Sequence, residues 1–576
     1  MSDGKQASVP CAGPAAQARP ASRYWPARLP RQLVIPETSL WFNLEVAARR
    51  FPAKAATLYG GSAMSYATLH ARAEALAGWW QSQGLQRGDR VALYLQNCPQ
   101  FLVAFYAALR ADAVVVPVNP MNKAEELAHL LADSGARGLV FAADLGPVVQ
   151  QALSALPGPA PVLLGLHYAD AWPADGPPPA SGLTGPLRDW LLARPPLIPG
   201  ATAWPAALEA GCRPGPALNG PDDLALLPYT SGTTGLPKGC MHTHRSLMAN
   251  TCGGGLWGSA SPEAVGLAVV PMFHITGLLY GVLAPVYWGM TMVVLPRWDR
   301  ELAGQSISRH GVTHWTCVPT MIIDLFASPH YRSFDLSSLR YMSGGGTAMP
   351  QAVAQRLLDE FGLQFAEGYG LTETAAPTHA NPPERAKLQC LGIPIFGVDS
   401  RVVDPVTLAA LPPGEVGEIL SAGPMVFQGY WRQPEATAAA FVEIDGRRFF
   451  RTGDLGRMDE EGYFFLTDRL KRMINASGYK VWPSEVELLL FQHPGVQEAC
   501  VIATRDAYRG ESVKAVVVPR AEARATLTEE ALIAWAREHM AAYKVPRSVE
   551  FVESLPKSGA GKVMWRVLQA RENEAS

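Results

Sequence analysis

The chain has 576 residues, 48% of them hydrophobic and 17% charged, with a formal net charge of −2. That length exceeds what one hydrophobic core ordinarily organises, so two or more domains of a soluble globular protein are expected. The balanced charge leaves no basic field for nucleic acid, the densest basic run being the short Arg469-Leu-Lys-Arg472. The eight cysteines contain no C-x-x-C pair, which signals neither a zinc site nor a disulfide framework and suits a reducing cytoplasm.

Residues 1–34 are rich in Ala, Pro and Arg up to about Pro30 and lack an apolar h-region, so they read as a mobile tail and not as a secretory signal. From 35 to 145 helical and strand patterns alternate. Arg90-Val-Ala-Leu-Tyr-Leu95 is an apolar strand, 99–110 has helical spacing, and Ala113-Val-Val-Val-Pro117 is a second strand. Together they predict a βαβ unit in a parallel sheet covered by helices. Residues 153–220 turn rich in Pro, Gly and Ala, as in Asp175-Gly-Pro-Pro-Pro179, and predict a long connection with little regular structure.

After the apolar run 224–227 stands Tyr229-Thr-Ser-Gly-Thr-Thr-Gly-Leu-Pro-Lys-Gly239. Gly232 and Gly235 let backbone approach an anion, Thr230, Ser231, Thr233 and Thr234 offer hydroxyl donors, and Lys238 adds a positive charge. The set suits a polyphosphate. It is not a Walker A loop, because counting from Gly232 puts Pro237 at the second glycine and Gly239 at the Ser/Thr. A flexible Ser/Thr/Gly linker is the bland alternative, and the length of the match with its lysine in place argues against it. The stretch resembles the signature of the adenylate-forming superfamily, which contains acyl-CoA synthetases, aryl-CoA ligases, luciferases and peptide-synthetase adenylation domains. The resemblance implies an α/β fold. A large AMP-binding domain over 35–467 would hold mostly parallel sheets covered by helices and a small β subdomain, followed by a small mobile α+β domain over 468–576. It also implies ATP and Mg²⁺ as cofactors and CoA as co-substrate.

Residues 241–250 read as a helix whose start presents backbone N–H groups to the same phosphates. The segment 275–296 carries no charged side chain and is long enough to span a bilayer, yet Pro285, its glycines and a β-rich end predict a buried helix followed by a buried strand. His274 follows the apolar strand 267–270 in Pro271-Met-Phe-His-Ile-Thr-Gly277, where a lone histidine is usually a satisfied core residue. Here it resembles the family's P-x-F-H segment beside the acyl carboxylate, implying a substrate pocket of Phe273, His274, Ile275, Thr276, Gly277 and Leu278. No Asp, Glu, Lys or Arg lies in 273–280, which suits an apolar acid.

Two strand-to-loop transitions follow, one into Gly344, Gly345 and Gly346, the other from Gln364-Phe-Ala366 into Glu367-Gly368-Tyr369-Gly370-Leu-Thr372-Glu373. Ligands of open parallel sheets sit at the carboxyl ends of strands. The glycines admit a flat purine and Tyr369 can stack on it. The resemblance implies phosphate and Mg²⁺ contact for Thr372 and Glu373, with Thr230 as a second metal residue.

Asp454, in Phe450-Arg-Thr-Gly-Asp-Leu455, has the ordinary reading of a turn residue; the resemblance implies hydrogen bonds from both ribose hydroxyls, which an acceptor-only carboxylate suits. By the same resemblance Arg469 contacts the nucleotide, Lys471 is the hinge, and Gly478 and Tyr479 form part of the pantetheine tunnel. Asn475 stands where relatives carry a lysine, so no acceptor-step role transfers there. Pro483-Ser-Glu-Val-Glu487 predicts a helix with a Ser484–Glu487 capping box, 500–503 and 513–518 predict strands, and 527–540 an amphipathic helix. Leu555-Pro-Lys-Ser-Gly-Ala-Gly-Lys562 is a glycine loop delivering one lysine. A solvated surface lysine is the bland reading; the resemblance implies that Lys562, with Glu373 and His274, is catalytic, touching the carboxylate and the α-phosphate. Ala560 replaces the more usual serine.

The resemblance covers nearly the whole chain, from about Trp41 to Leu568, and is to medium- and long-chain fatty-acyl-CoA synthetases. It implies an acid–CoA ligase acting on a small-molecule carboxylic acid in the cytoplasm, with no nucleic acid and no transmembrane segment, a homodimer being left open. The alternatives are an aryl-CoA ligase, an enzyme that stops at the adenylate, and an inactive nucleotide-binding relative. The joint presence of Lys562, Glu373, Asp454 and Arg469 speaks against the last.

Overall fold

The computed structural model describes residues 24–172, 182–230, 237–345, 349–469, 472, 474–476, 479–481, 483–506, 510–557 and 563–575. The strands Arg90–Tyr94 and Val114–Val118 pair in parallel from Arg90↔Val114 to Tyr94↔Val118, joined by the helix Pro99–Arg110. Every residue of that helix is buried, as its apolar character on all faces requires. These strands centre a seven-stranded sheet in the order His242–Thr243, Leu224–Leu226, Val114–Val118, Arg90–Tyr94, Ala136–Ala142, Val162–Leu166, Thr202–Ala203. The last two correct the expectation of little regular structure over 153–220. That stretch also forms helices Gly185–Leu192 and Trp204–Glu209. The strand Val162–Leu166 is a short apolar run whose own side chains favour pairing, masked in the sequence by the Pro and Gly around it.

A second, nine-stranded sheet runs Ile393–Pro394, Ala376–Ala380, Phe365–Leu371, Tyr341–Gly344, His314–Cys317, Val265–Ala268, Thr291–Val294, Ala55–Tyr59, Ser62–Ser65. The strands from Phe365–Leu371 to Ala55–Tyr59 are mutually parallel, so their carboxyl ends line one edge. One buried cluster joins the two sheets, with Leu93 and Phe105 in the same core as Leu267, Val293 and Trp315. Residues 275–296 fold as short helices Ile275–Leu278 and Ala284–Trp288 around a π-turn, then the strand Thr291–Val294. Among the described residues no helix is long and apolar enough to cross a membrane. Residues 24–34 pack against this body. Trp25 meets Trp257 and Phe396 edge-on at 5.3 and 5.2 Å, and Arg28 donates to Glu384 at 2.9 Å.

An antiparallel five-stranded sheet follows, comprising Asp399–Val403, Gly417–Ala422, Arg447–Met458, Phe441–Ile444 and Phe464–Arg469. The C-terminal part builds on the hairpin Val496–Asp506 and Gly510–Pro519, with Ser548–Phe551 added in parallel and helices Pro483–Leu490, Glu529–His539 and Trp565–Ala575. Its apolar residues, among them Val486, Val501, Val517 and Leu532, form a cluster of their own. The predicted capping box does not form. Asp468, 2% exposed near the end of the strand Phe464–Arg469, instead accepts the Ser484 N–H at 2.8 Å. Glu487 is taken by Arg472 and by the Val501 N–H, because a half-buried guanidinium is a stronger partner for a carboxylate than a neutral helix N–H.

Candidate active site at the sheet edge

The polyphosphate stretch begins and ends as a two-stranded ribbon in which Thr230 faces Lys238 and Tyr229 faces Gly239. The Tyr229 hydroxyl donates to Asp133 Oδ2 at 2.5 Å, anchoring the ribbon. Ser231, Gly232, Thr233, Thr234 and Gly235 lie outside the described residues. The helix expected over 241–250 starts later and runs longer, as His244–Trp257, because His242–Thr243 forms a strand and the Thr243 hydroxyl caps the helix by accepting the Ser246 N–H at 3.1 Å.

Beside the ribbon stands the turn Thr372–Thr374. His242, fully buried on the strand after the ribbon, brings Nε2 within 2.7 Å of the Thr372 carbonyl. Burial pulls its pKa down to about 4, so the ring is neutral and donates to that carbonyl. Asn250, on the helix, donates from Nδ2 to the carbonyls of Thr374, Ala375 and Pro377 at 3.1, 2.8 and 3.0 Å. Those bonds hold Ala375 and Ala376 at φ of 49° and 75°, left-handed backbone that alanine rarely adopts and that clusters at functional sites. Within this turn Glu373 accepts the Tyr430 hydroxyl on Oε1 at 2.9 Å, and its carbonyl accepts the Phe427 N–H at 2.8 Å. The Lys238 ammonium lies 5.1 Å from the Tyr430 ring centroid. The Lys238 ammonium and the Glu373 carboxylate are thus linked through one phenol.

The segment 367–371 is not a loop: the strand Phe365–Leu371 continues through it, antiparallel to Ala376–Ala380. Its glycines serve the protein's own backbone. A Cβ on Gly370 would stand 1.7 Å from the Ala376 carbonyl oxygen, and one on Gly345 2.3 Å from that of Gly368. Gly344 pairs with Glu367 across the sheet, and Gly346 lies outside the described residues. The Glu367 side chain, 6% exposed, accepts the Gln389 N–H at 2.9 Å, and burial raises its pKa to about 7. Tyr369 donates its hydroxyl to Asp454 Oδ2 at 2.6 Å. Asp454 is 1% exposed, on the strand Arg447–Met458, and lies opposite Arg469 in the register with Phe464–Arg469.

His274 is exposed at the same edge, capping the helix Ile275–Leu278, with Nδ1 accepting the Thr276 N–H at 3.4 Å. Phe273 and Thr276 are half-buried, whereas Ile275, Gly277 and Leu278 are buried, with Ile275 and Leu278 in the core. A Cβ on Gly277 would meet the Pro271 carbonyl oxygen at 2.0 Å, so this glycine lets the helix begin where it does. Asn97, in the bend between the strand Arg90–Tyr94 and the helix Pro99–Arg110 and 3% exposed, holds the approach to His274 by accepting the Met272 N–H at 2.8 Å and donating to the Val270 carbonyl at 3.2 Å. Tyr430, His242, Asn250 and Asn97 were not singled out in the sequence. A glycine before Tyr430, as before Tyr369 and Tyr479, is the one local signal that marks any of them.

Lys471, Gly478 and Lys562 lie outside the described residues, and Arg469 and Tyr479 are described as strand backbone alone. Among the described residues no group of three or more His, Cys, Asp or Glu could hold a metal. The half-buried Glu373 carboxylate, a single hard oxygen donor beside the phosphate ribbon, fits Mg²⁺, which takes one or two carboxylates and draws its other ligands from phosphate and water.

The family model of the AMP-binding enzyme matches residues 44–431, and that of the AMP-binding enzyme C-terminal domain matches residues 485–562. The long-chain-fatty-acid–CoA ligase of Bacillus subtilis (strain 168) is 36% identical over 572 residues, covering 96% of this chain and 97% of the relative. A feruloyl-CoA synthase of Amycolatopsis sp is 37% identical over 521 residues, covering 90% of this chain and 96% of its own. Among solved structures, ATP-bound MatB from Rhodopseudomonas palustris superposes with a TM-score of 0.78 at 30% identity, covering 93% of this chain and 100% of that one.

Proposed function

This chain belongs to the AMP-binding enzyme family, and we propose that it activates a medium- or long-chain fatty acid with ATP and transfers the acyl group to CoA. The observation that carries this reading is the end-to-end similarity to a long-chain-fatty-acid–CoA ligase, combined with a segment 273–280 that has no charged side chain to pair with a polar acid. The feruloyl-CoA synthase relative, at comparable identity, supports an aromatic acid as the second reading.

In this reading the acid carboxylate attacks the α-phosphorus of ATP, the bond to pyrophosphate breaks, and an acyl adenylate forms. The CoA sulfur then adds to the carbonyl and AMP departs with the carboxylate oxygen. Both steps move negative charge, so the protein acts chiefly by positioning and electrostatic stabilisation. Thr230, the hydroxyls of Ser231, Thr233 and Thr234, and Lys238 grip the polyphosphate. Asp454 accepts from the ribose hydroxyls while Tyr369 steadies its carboxylate, and Arg469, facing it across the strands, contacts the nucleotide. His274 stands beside the acyl carboxylate. Glu373 would hold Mg²⁺, which, bound, screens the phosphate charge. Lys562 joins the carboxylate and α-phosphate for the first step and leaves for the second, when Gly478 and Tyr479 line the way for pantetheine as the small domain turns at Lys471. A cytoplasmic setting, where ATP and CoA are supplied and the described cysteines stay free thiols, is part of the same reading.

Pyrophosphate release across fatty and aryl acids, with and without CoA, tests this. Turnover greatest with a fatty acid and dependent on CoA is the expected result. Turnover confined to aryl acids would move the assignment to the second reading, and release without any CoA dependence would exclude a ligase.

A further inference from the structure

We infer that Tyr430 is a positioning residue that couples the phosphate lysine to the metal-facing carboxylate; the inference rests on the roles given above to Lys238 and Glu373. Tyr430 belongs to neither motif. It lies in a segment laced to the strand that leaves the phosphate ribbon. Met241 N–H donates to the Gly429 carbonyl, Gln428 N–H to that of Met241, and Trp431 N–H to that of Gly239, all at 2.8 to 2.9 Å. The same segment grips Glu373 twice, through the Phe427 N–H on its carbonyl and the Tyr430 hydroxyl on Oε1 at 2.9 Å. A bond to a carboxylate oxygen fixes the plane in which the other oxygen is presented, as hydrogen-bonded partners of metal-ligating carboxylates generally do. The other side of the coupling is the ring. Lys238 Nζ sits 5.1 Å from its centroid, within the range where the negative face of an aromatic attracts an ammonium.

The Tyr430 backbone leaves little freedom to the side chain. Its N–H donates to Thr437 Oγ1 at 2.9 Å, its ring packs edge-on against Phe427 at 4.9 Å, and Cys240 bridges to it across the strands. A polyphosphate pulling on Lys238 and a cation pulling on Glu373 therefore act on one rigid phenol.

Calorimetric binding of ATP, titrated with Mg²⁺ and repeated in EDTA, separates the two halves in the parent, Tyr430→Phe, Tyr430→Leu and Glu373→Gln. Tyr430→Phe keeps the ring and loses the hydroxyl, so the Mg²⁺ needed for half-maximal tightening rises about 10- to 100-fold while metal-free ATP affinity stays within about twofold. Tyr430→Leu shows the same metal shift and also weakens metal-free ATP binding by about 2- to 30-fold, because Lys238 has lost its aromatic face. A packing role alone would move metal-free and metal-bound affinity together. A Phe variant with the parent's Mg²⁺ response, while Glu373→Gln loses it, overturns the inference and leaves the reading of Glu373 standing. A Glu373→Gln variant with the parent's response overturns that reading and the inference with it.

Discussion

Replacing Glu367 with glutamine changes how stability depends on pH, by an amount the structure sets. The carboxyl is 6% exposed and burial lifts its pKa to about 7, from 4.5 for an unburied glutamate. A group whose folded pKa lies above its unfolded value stabilises fully below the unfolded pKa, and that contribution is lost as pH rises through the folded one. The window therefore runs from about pH 4.5 to about pH 7. A shift of this size corresponds to about 3 kcal/mol at 1.36 kcal/mol per unit. Glutamine does not titrate, and its amide oxygen keeps the bond from the Gln389 N–H, so the variant gains relative stability only as the parent loses it. With an unfolding entropy of roughly 2.1 cal/mol/K per residue, each kcal/mol moves the midpoint of the large domain by about 1 °C. The Tm of Glu367→Gln minus that of the parent should thus be about 3 °C greater at pH 8 than at pH 4.5, other titrating groups cancelling in the difference. Parallel Tm profiles for the two proteins across this window would refute the reasoning.

Asp454→Ala removes the acceptor of the Tyr369 hydroxyl and, on the proposed reading, of the ribose, and should weaken ATP binding by about 1.5 to 3 kcal/mol in calorimetry; unchanged affinity would make Asp454 a turn residue. Asn97→Ala leaves the Met272 N–H and Val270 carbonyl without their partner at a buried junction, so the loop to His274 loosens. KM for the acid should rise about tenfold while KM for ATP holds, and a proportionate rise in both would place the effect in global stability. Lys562→Ala should abolish adenylate formation and largely spare transfer from preformed acyl adenylate to CoA. Equal loss in both half-reactions would defeat the idea of a lysine that departs between them.

What the sequence displayed was chemistry concentrated in short strings, and what it hid was contact between distant ones. The ribbon ending in Lys238, the Glu367–Glu373 string and Asp454 could be picked out because hydroxyls, glycines and a carboxylate stood in unbroken local order. The groups that arrange them are far away along the chain. Tyr430 is 57 residues from Glu373, and Asn97 is 175 from Met272. A lone tyrosine or asparagine has many ordinary uses; nothing local distinguishes Asn97, and only the preceding Gly429 marks Tyr430. Secondary structure was misread where tertiary contacts override composition. Gly368 and Gly370 look like a loop, yet they let a strand continue against Ala376–Ala380, because no Cβ could fit at Gly370. The Ser484–Glu487 pair looked like a cap until the buried Asp468 and the half-buried Arg472 claimed the groups it needed.

The central claim, that the acid reacts at the α-phosphorus and the thiol at the carbonyl, is tested most directly by oxygen transfer. A fatty acid carrying ¹⁸O in both carboxyl oxygens is turned over with ATP and CoA, and the products are weighed by mass spectrometry. The account predicts AMP with one ¹⁸O in its phosphate, an acyl-CoA that retains the other, and unlabelled pyrophosphate. Unlabelled AMP, or ADP with labelled inorganic phosphate, would contradict it.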